Sequence, residues 1–167
     1  VDTLTGGPNR RLFEERLPEA MARCRRSKQT LALLFLDIDK FKSINDGLGH
    51  AAGDLVLKEF SKRLQGCVRT TDMVARLGGD EFVVILEGLH GLAEAEQVAL
   101  NILLAMEQPI ELASGPMQVS SSIGIACYSG GAGSAAQILA QADEALYAAK
   151  RSGRNTYRAA AASLLQS

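Results

Sequence analysis

The chain has 167 residues, of which 47% are apolar and 22% are charged, and its formal net charge is -1. This length and composition are ordinary for one globular domain with a sizeable core. A charge so close to zero excludes the global basic field that holds nucleic acid. The longest apolar runs, residues 31–36 and 82–86, are too short to span a bilayer, so we expect no membrane segment in this chain.

Three cysteines are present, Cys24, Cys67 and Cys127, and no two of them form a C-x-x-C pair. An odd number of scattered thiols is typical of reduced side chains in a reducing compartment. We therefore expect a cytoplasmic protein without disulfides. Since the chain does not begin with methionine, we also expect a domain that belongs to a longer protein.

The first half of the chain predicts a helix, a strand and two further helices. Apolar residues recur at helical spacing over residues 9–27, although Pro18 should kink or interrupt that helix. The unbroken apolar run 31–39 predicts a strand that is covered on both faces. A short helix over residues 41–46 precedes a longer one that ends near residue 65.

The second half begins with a predicted hairpin, because two strand-like runs, 73–77 and 81–86, flank a pair of glycines at 78 and 79. Further predictions are a helix over 92–108, a turn at Gly115-Pro116, a strand over 117–128, a helix with a capping box at Ser134 that ends near Gly153, and a short strand near 155–158. Helices interspersed with at least one hairpin favour an α+β domain with a largely antiparallel sheet.

The apolar strand ends in Asp37-Ile38-Asp39. Alternation along a strand predicts both carboxylates on one face and Ile38 on the other. A carboxylate at a buried strand end needs a cationic partner, and hard oxygen ligands suit magnesium. Taken alone, the motif is more often two solvated acids in a turn.

A second acidic cluster, Asp80 and Glu81, follows the paired glycines. The glycines leave room for a ligand to approach the backbone, and one acid is suited to hold a metal while another group takes a proton. An ordinary hairpin with acids in water is the alternative. Lys150 and Arg154 near the end of the last helix suit phosphates, or complement the helix C-terminus. No P-loop motif is present in the sequence.

The run RLGGDEF at residues 76–82 is similar to the signature of the GGDEF family of bacterial diguanylate cyclases. Other blocks resemble the family in the same order: DTLTG at 2–6, PNRR at 8–11, LDIDKFK at 36–42, IND at 44–46, GH at 49–50, GD at 53–54, SIGIA at 122–126, ALY at 145–147 and GRN at 153–155. The resemblance implies one GGDEF domain over residues 1–158, with 159–167 as a tail left from a linker.

The family fold resembles the palm of nucleotide cyclases and polymerases, with a five-stranded, mostly antiparallel central sheet surrounded by helices. This implies that the two acidic clusters meet in one site. By resemblance, the side chains of Asp37 and Asp80 and the carbonyl of Ile38 bind Mg²⁺, with Mn²⁺ as the alternative ion. Asp80 and Glu81 are the implied catalytic acids, and the sequence leaves open whether a side chain or a water takes the proton.

The implied reaction condenses two GTP molecules into cyclic di-GMP and two pyrophosphates, which makes the chain a nucleotidyltransferase in signalling. Asn45 and Asp54 match the family's guanine-reading pair, and a carboxylate that accepts from guanine N1 and N2 favours GTP over ATP. The positions that match the triphosphate site are Phe41, Lys42, Lys150 and Arg154. Because the product contains two guanylate units, catalysis should require a homodimer.

Arg69 and Asp72 match the family's R-x-x-D site, where cyclic di-GMP binds and inhibits. An arginine fork and a carboxylate suit a guanine edge or a phosphate, although a surface ion pair is the alternative. Two other functions stay open: a catalytically silent GTP-binding regulatory module of a GGDEF-EAL protein, and a cyclic di-GMP receptor. The intact Asp80-Glu81 pair favours the enzyme, and the ending at 153–158 suggests fusion to regulatory domains, including an EAL domain.

Overall fold

The structure, a computed structural model, describes residues 1–161. Its elements in chain order are α1 (Arg10–Ser27), β1 (Thr30–Ile38), α2 (Phe41–Leu48), α3 (His50–Gly66), β2 (Met73–Gly78), β3 (Glu81–Leu89), α4 (Leu92–Ala105), β4 (Ile110–Leu112), β5 (Gly115–Met117), β6 (Ser121–Tyr128), α5 (Ala135–Arg151) and β7 (Thr156–Ala159). Most of the predicted elements are therefore confirmed, with shifts at their ends. Within residues 1–161, none of the helices combines the length and the apolar character needed to cross a membrane.

The central sheet has five strands in the order β2-β3-β1-β6-β7. The β1 strand occupies its middle and pairs antiparallel with both β3 and β6. At the edge of the sheet, β6 and β7 pair in parallel. The predicted α+β fold with a five-stranded, mostly antiparallel sheet is confirmed.

The β1 strand is buried on both faces, as its apolar run predicts. Leu31, Leu33 and Phe35 belong to the core under α1 and α5. Leu34 and Ile38 belong to the opposite core, which α3 and α4 cover. Packing between two hydrophobic layers therefore fixes the position and register of β1. This also fixes the position of the acids at its end.

The expected interruption of α1 at Pro18 is wrong, because the helix runs without a break. Pro18 lacks an N–H for the carbonyl of Glu14, but both residues are exposed on the solvent side. The opposite face buries Phe13, Leu17 and Met21 in the core. Apolar burial on that face outweighs one missing hydrogen bond in contact with water.

The expected turn at residues 115–116 and the early start of the following strand are also wrong. Residues 115–117 form β5, which pairs with β4 in a separate two-stranded sheet, and β6 begins only at Ser121. Pro116 lies opposite Glu111 in this ribbon. Both strands of a two-stranded sheet are edges, where a residue without an N–H is tolerated.

Helix α5 packs closely on β6 at Gly124. A Cβ at this position would lie 2.1 Å from the carbonyl of Ala142 and 2.2 Å from the nitrogen of Leu146, so only glycine fits. The predicted capping box at Ser134 is confirmed by reciprocal hydrogen bonds with Gln137. This packing directs the C-terminal end of α5 towards the end of β1. Of the predicted tail 159–167, residues 162–167 lie outside the described residues.

Candidate active site

The end of β1 and the tip of the β2–β3 hairpin lie side by side. Leu36 pairs with Phe82 in the antiparallel register, so the hairpin turn reaches the level of residues 37 and 38. The Ile38 backbone lowers the pKa of Asp80, and the charge of Asp80 raises the pKa of Asp37, so these groups are close enough to interact. Two acids that are far apart in the sequence therefore share one edge of the sheet.

Asp37 is a buried carboxylate with only one of its oxygens paired. Its exposed fraction is 7%, and the Nζ atom of Lys150 lies 2.5 Å from Oδ2. The other oxygen, Oδ1, is buried and has no hydrogen-bond partner among residues 1–161. A buried polar atom without a partner is uncommon in folded proteins and requires an explanation, such as an ion.

Both acids have raised pKa values. Burial is the main cause for Asp37; Lys150 lowers its pKa, while Asp80 and Asp39 raise it. Burial also dominates the raised pKa of Asp80, opposed by backbone hydrogen bonds and by Lys150, and reinforced by Glu81. The site therefore holds more negative charge than its lysine compensates, which favours an added cation.

The oxygens at this edge fit a hard divalent cation. Across residues 1–161, no three side chains of His, Cys, Asp or Glu form a ready metal cluster. Two carboxylates and the Ile38 carbonyl are enough for Mg²⁺ without such a cluster, because this ion usually keeps several waters and takes few protein ligands. The unpaired Oδ1 of Asp37 is the observation that supports this fit.

The hairpin tip is held by Arg76, to which the sequence analysis gave no role. Its Nε donates to the carbonyl of Gly79 at 2.8 Å, and its Nη1 lies 2.9 Å from Oδ1 of Asp2. Gly78 and Gly79 have φ angles of 143° and 54°, which confirms the predicted use of glycine in this turn. No periodic pattern could reveal the pair of Asp2 and Arg76, because it is a long-range contact.

Asn45 and Asp54 lie on α2 and α3, which pack against each other at Gly53. A Cβ at Gly53 would lie 1.8 Å from Oδ1 of Asn45 and 3.3 Å from Cζ of Phe41. Asn45 is half-buried and Asp54 is exposed. The missing side chain of Gly53 thus allows Asn45 to pack against α3, one residue before Asp54.

The predicted phosphate-binding cations are divided between two environments. Lys150 pairs with Asp37 at the acidic site. Lys42 and Arg154 are exposed, and within residues 1–161 neither side chain forms an ion pair or hydrogen bond. Arg154 lines a cavity of about 650 Å³ together with Lys40 and Asn155.

Arg69 and Asp72 form an ion pair just before β2, near the end of the hairpin that lies away from its tip. We call this pair closed because internal hydrogen bonds occupy both oxygens of Asp72. Asp72 Oδ2 accepts from the Arg69 backbone at 2.9 Å, and its Oδ1 accepts from the Glu87 nitrogen at 3.2 Å. The Arg69 guanidinium contacts both Asp72 oxygens and also donates to the Glu87 carbonyl. The side chain of Asp72 is only 2% exposed, whereas that of Arg69 is 57% exposed.

Two adjoining cavities, of about 420 and 400 Å³, open beside this pair. Arg23 lines both of them and forms a bidentate ion pair with Glu87, at 2.8 and 2.9 Å. Arg69 lines the first cavity, and Asp72 and Arg16 line the second. Glu87 also lines both cavities, so an anionic ligand would bind the arginines by replacing their internal acidic partners.

Known proteins with similar sequences are GGDEF-domain proteins, in agreement with the resemblance of the sequence motifs. The family described as diguanylate cyclase, GGDEF domain, matches residues 1–156. The chain is 48% identical over 160 residues to the diguanylate cyclase TpbB of Pseudomonas aeruginosa, covering 95% of this chain and 37% of TpbB. It is 41% identical over 156 residues to MucR of the same organism, described as a bifunctional diguanylate cyclase and cyclic di-GMP phosphodiesterase, covering 93% of this chain and 23% of MucR.

Solved structures show the same similarity. The GGDEF domain of TpbB superimposes with a TM-score of 0.92 at 47% identity, covering 96% of this chain and 94% of that structure. The GGDEF domain of DgcB from Caulobacter crescentus, solved in complex with cyclic di-GMP, gives a TM-score of 0.89 at 31% identity, with 95% and 92% covered. The chain therefore covers most of these two solved domains, but little more than a third of the length of TpbB.

Proposed function

Because the chain belongs to the GGDEF-domain diguanylate cyclase family, we propose that it condenses two GTP molecules into cyclic di-GMP and two pyrophosphates. The observation that carries the proposal is the unfinished acidic site: a buried Asp37 oxygen without a partner, beside Asp80. The similarity to TpbB, which covers 95% of the chain, supports the same assignment.

Asp37, Asp80 and the carbonyl of Ile38 would hold Mg²⁺ or Mn²⁺ at this edge. The ion would supply charge stabilisation for the phosphate oxygens and acidify the attacking ribose 3′-hydroxyl. Lys150 neutralises part of the charge on Asp37 in the free protein, and its ammonium is also suited to contact the triphosphate. Burial of the acids keeps these interactions in a medium of low dielectric, where they are strongest.

The proton of the 3′-hydroxyl would leave through the hairpin acids. Asp80 is one candidate acceptor, because it lies at the hairpin tip where the ion and the 3′-hydroxyl would meet. Glu81 is exposed next to it and offers a second acceptor, directly or through a water. The pH dependence of turnover in the variants of each acid separates these two routes.

Guanine would be read by Asn45 and Asp54 across the contact between α2 and α3. The Asp54 carboxylate accepts from the N1 and N2 donors, a pair that adenine lacks. The triphosphate would then extend towards Lys42, Arg154 and the backbone near Phe41. These side chains are exposed and free to pair within the described residues, as a substrate site requires.

One domain supplies only one such site, whereas the product contains two guanylates related by two-fold symmetry. Two copies that face each other would place each 3′-oxygen next to the α-phosphorus of the other GTP. We therefore propose that the active form is a homodimer. The isolated chain should be slow unless its copies are held together.

Cyclic di-GMP would inhibit through Arg69 and Asp72. The arginine-lined cavities beside this pair support the proposal, as does the similarity to DgcB, which was solved with cyclic di-GMP. Because Asp72 is already occupied by internal hydrogen bonds, the ligand would exchange partners with it rather than fill an open position.

The parent protein would carry further domains, since the chain matches only 37% of TpbB and 23% of MucR. We propose that these domains regulate dimerisation and that the domain works in the cytoplasm, where GTP is available.

The test is to incubate the purified chain with GTP and Mg²⁺ and to separate the products by chromatography. We measure the free chain and the chain fused to a dimerising coiled coil. Formation of cyclic di-GMP by the wild type and by Glu144→Gln, an exposed acid on α5, but not by Asp80→Ala, supports the enzyme. GTP binding without turnover in the forced dimer supports a silent regulatory module, and binding of cyclic di-GMP alone supports a receptor.

A further inference from the structure

Asp39 is a buried carboxylate whose two oxygens are both fully engaged. Its Oδ1 accepts from the hydroxyl of Ser122 at 2.6 Å. Its Oδ2 accepts from the hydroxyl of Ser120 at 2.6 Å and from the backbone nitrogen of Asn155 at 3.0 Å. Its exposed fraction is 9%. The carboxylate therefore joins the end of β1 to β6 and to the turn that follows α5.

The turn after α5 has an unusual backbone. Gly153, Arg154 and Asn155 have φ angles of 109°, 65° and 48°, so three consecutive residues are left-handed. For residues with a Cβ this conformation costs about 1 to 3 kcal/mol each, and it persists only where the surroundings impose it. Backbone hydrogen bonds to α5 hold part of this turn, from the Arg154 nitrogen to the Ala149 carbonyl at 3.2 Å and from the Gly153 nitrogen to the Lys150 carbonyl at 3.3 Å. The hydrogen bond from the Asn155 nitrogen to Asp39 ties the end of the turn to β1.

The same carboxylate also lies next to a second left-handed residue, Lys40, which has a φ angle of 57° and precedes α2. The Asp39 nitrogen donates to the carbonyl of Ser120 at 2.9 Å, so the backbone here is tied to β6 as well. Lys40 and Arg154 both line the cavity of about 650 Å³. Asp39 thus precedes one of the backbone segments that border this cavity and accepts a hydrogen bond from the other.

We propose that Asp39 is a positioning residue for Arg154, which holds the left-handed turn so that the guanidinium faces the triphosphate. The inference rests on the proposed function, which assigns Arg154 to that group. It separates the two acids of the D-x-D motif: Asp37 has a buried oxygen without a partner, whereas every oxygen of Asp39 has one. These partners favour a positioning role for Asp39 over the metal-binding role proposed for Asp37.

The alternative of a purely structural role predicts a different result in a double-mutant cycle. If Asp39 acts through Arg154, removing both side chains weakens substrate binding no more than removing Arg154 alone. If Asp39 only stabilises the fold, Asp39→Ala lowers the melting temperature but leaves the affinity of the folded protein unchanged. If Asp39 affects binding independently of Arg154, the two losses add.

The experiment measures the affinity of a non-hydrolysable GTP analogue with Mg²⁺, by calorimetry, for the forced dimer and its Asp39→Ala, Arg154→Ala and double variants. We expect each single variant to lose about 10- to 100-fold in affinity, the effect of one charge-assisted hydrogen bond. The double variant should lose about as much as Arg154→Ala, within about twofold. Additive losses overturn the positioning role while leaving the proposed function intact. An affinity that Arg154→Ala leaves unchanged rejects both the positioning role and the assignment of Arg154 to the triphosphate.

The conservative variant Asp39→Asn gives an independent readout. Its carboxamide oxygen can accept from the Asn155 nitrogen and the Ser120 hydroxyl, while its NH₂ donates to the Ser122 hydroxyl. We expect affinity within about threefold of wild type and an unchanged Mg²⁺ requirement. A large rise in the Mg²⁺ concentration needed for binding overturns the proposal, because it makes Asp39 a metal ligand. If Asp39→Ala does not fold, Ser120→Ala replaces it in the cycle, with a smaller loss that must still be non-additive with Arg154→Ala.

Discussion

The acidic site at the tip of the β2–β3 hairpin and the Arg69–Asp72 pair near the other end of β3 differ in what completes them. At the tip, Asp37 has a buried oxygen without a partner, and the pKa values of Asp37 and Asp80 are raised mainly by burial. At the other end of β3, Asp72 is just as buried, but internal hydrogen bonds with Arg69 and Glu87 occupy both of its oxygens. Glu81 and Glu87 are six residues apart on β3, or about 20 Å.

This difference separates a site that needs a ligand from one that is complete without it. At the tip, the buried and unpaired Oδ1 of Asp37 is unfavourable in the free protein. A cation can bind this oxygen without displacing an internal partner from it. At Arg69 and Asp72 a ligand must first replace an existing ion pair, which weakens binding and makes it reversible. The first arrangement suits catalysis, and the second suits regulation by a product that accumulates.

The largest expected effect is on catalysis at the tip. Asp80→Ala removes one of two carboxylates for the cation, and loss of several kcal/mol of charge stabilisation lowers kcat by about 1000-fold or more. Chromatographic assay of cyclic di-GMP from the forced dimer measures it. Glu144→Gln is the matched control and should keep full activity. An Asp80→Ala variant within tenfold of wild type would contradict the account of this site.

A smaller effect is expected where α2 meets α3. A methyl group at Gly53 would lie 1.8 Å from Oδ1 of Asn45, so Gly53→Ala displaces the asparagine. We expect about 1 to 3 kcal/mol of lost stability from overpacking, and a higher KM for GTP with little change in kcat. Gly66→Ala is the control, because a Cβ there meets nothing within 4 Å. A KM unchanged by Gly53→Ala would remove Asn45 from the guanine site.

The next effect concerns the closed pair. Arg69→Ala removes the exposed partner of Asp72, and loss of a charge-assisted fork should weaken inhibition by cyclic di-GMP by about 10- to 100-fold. The initial rate without product should stay within about twofold, because the pair lies about 20 Å from the tip. Rates measured against added cyclic di-GMP test this. Arg11→Ala, an exposed arginine on α1, is the control, and undiminished inhibition in Arg69→Ala would reject the product site.

The smallest effect is on stability and follows from the raised pKa of Asp80. Asp80 has a higher pKa in the folded state than in the unfolded state, so the folded protein binds its proton more tightly. Protonation of Asp80 therefore stabilises the fold at a pH below its pKa in the unfolded state. That stabilisation is lost as the pH rises through its pKa in the folded state. Without divalent ions, Asp80→Asn should therefore melt slightly higher than wild type at pH 7, and the two should converge near pH 3.

Magnesium should reverse that order. Added Mg²⁺ raises the melting temperature of the wild type at pH 7, because it binds only the folded state, but leaves Asp80→Asn unchanged. Calorimetric scans with and without the ion measure both effects. A wild type that melts at a higher temperature than Asp80→Asn without divalent ions would contradict this prediction. It would show that the ionised Asp80 stabilises the folded protein instead of destabilising it.

Much of the fold follows from local patterns. The two-faced burial of β1, the glycines of the hairpin and the capping box at Ser134 are each set by near neighbours in the chain, so periodicity and turn chemistry predict them. Pro18 and Pro116 misled the prediction, because the rules for proline assume that its missing N–H matters. Here one lies on an exposed helix face and the other on the edge of a small sheet.

The site was less predictable because it depends on contacts between distant segments. The resemblance to a family indicated Asp37 and Asp80, but not that Lys150 pairs with Asp37 or that Arg76 holds the hairpin through Asp2. Asp39 resembled a second metal ligand in the sequence. Only the positions of Ser120, Ser122 and Asn155 in space reveal its different partners.

The most direct test is a crystal structure of the chain grown with Mn²⁺ and a non-hydrolysable GTP analogue, with data collected at the manganese absorption edge. We predict an anomalous peak between the carboxylates of Asp37 and Asp80 and next to the carbonyl of Ile38, with Oδ1 of Asp37 bound to the ion. A peak that no oxygen of Asp37 or Asp80 contacts, or two acids that bind no ion while the nucleotide is present, would contradict the account.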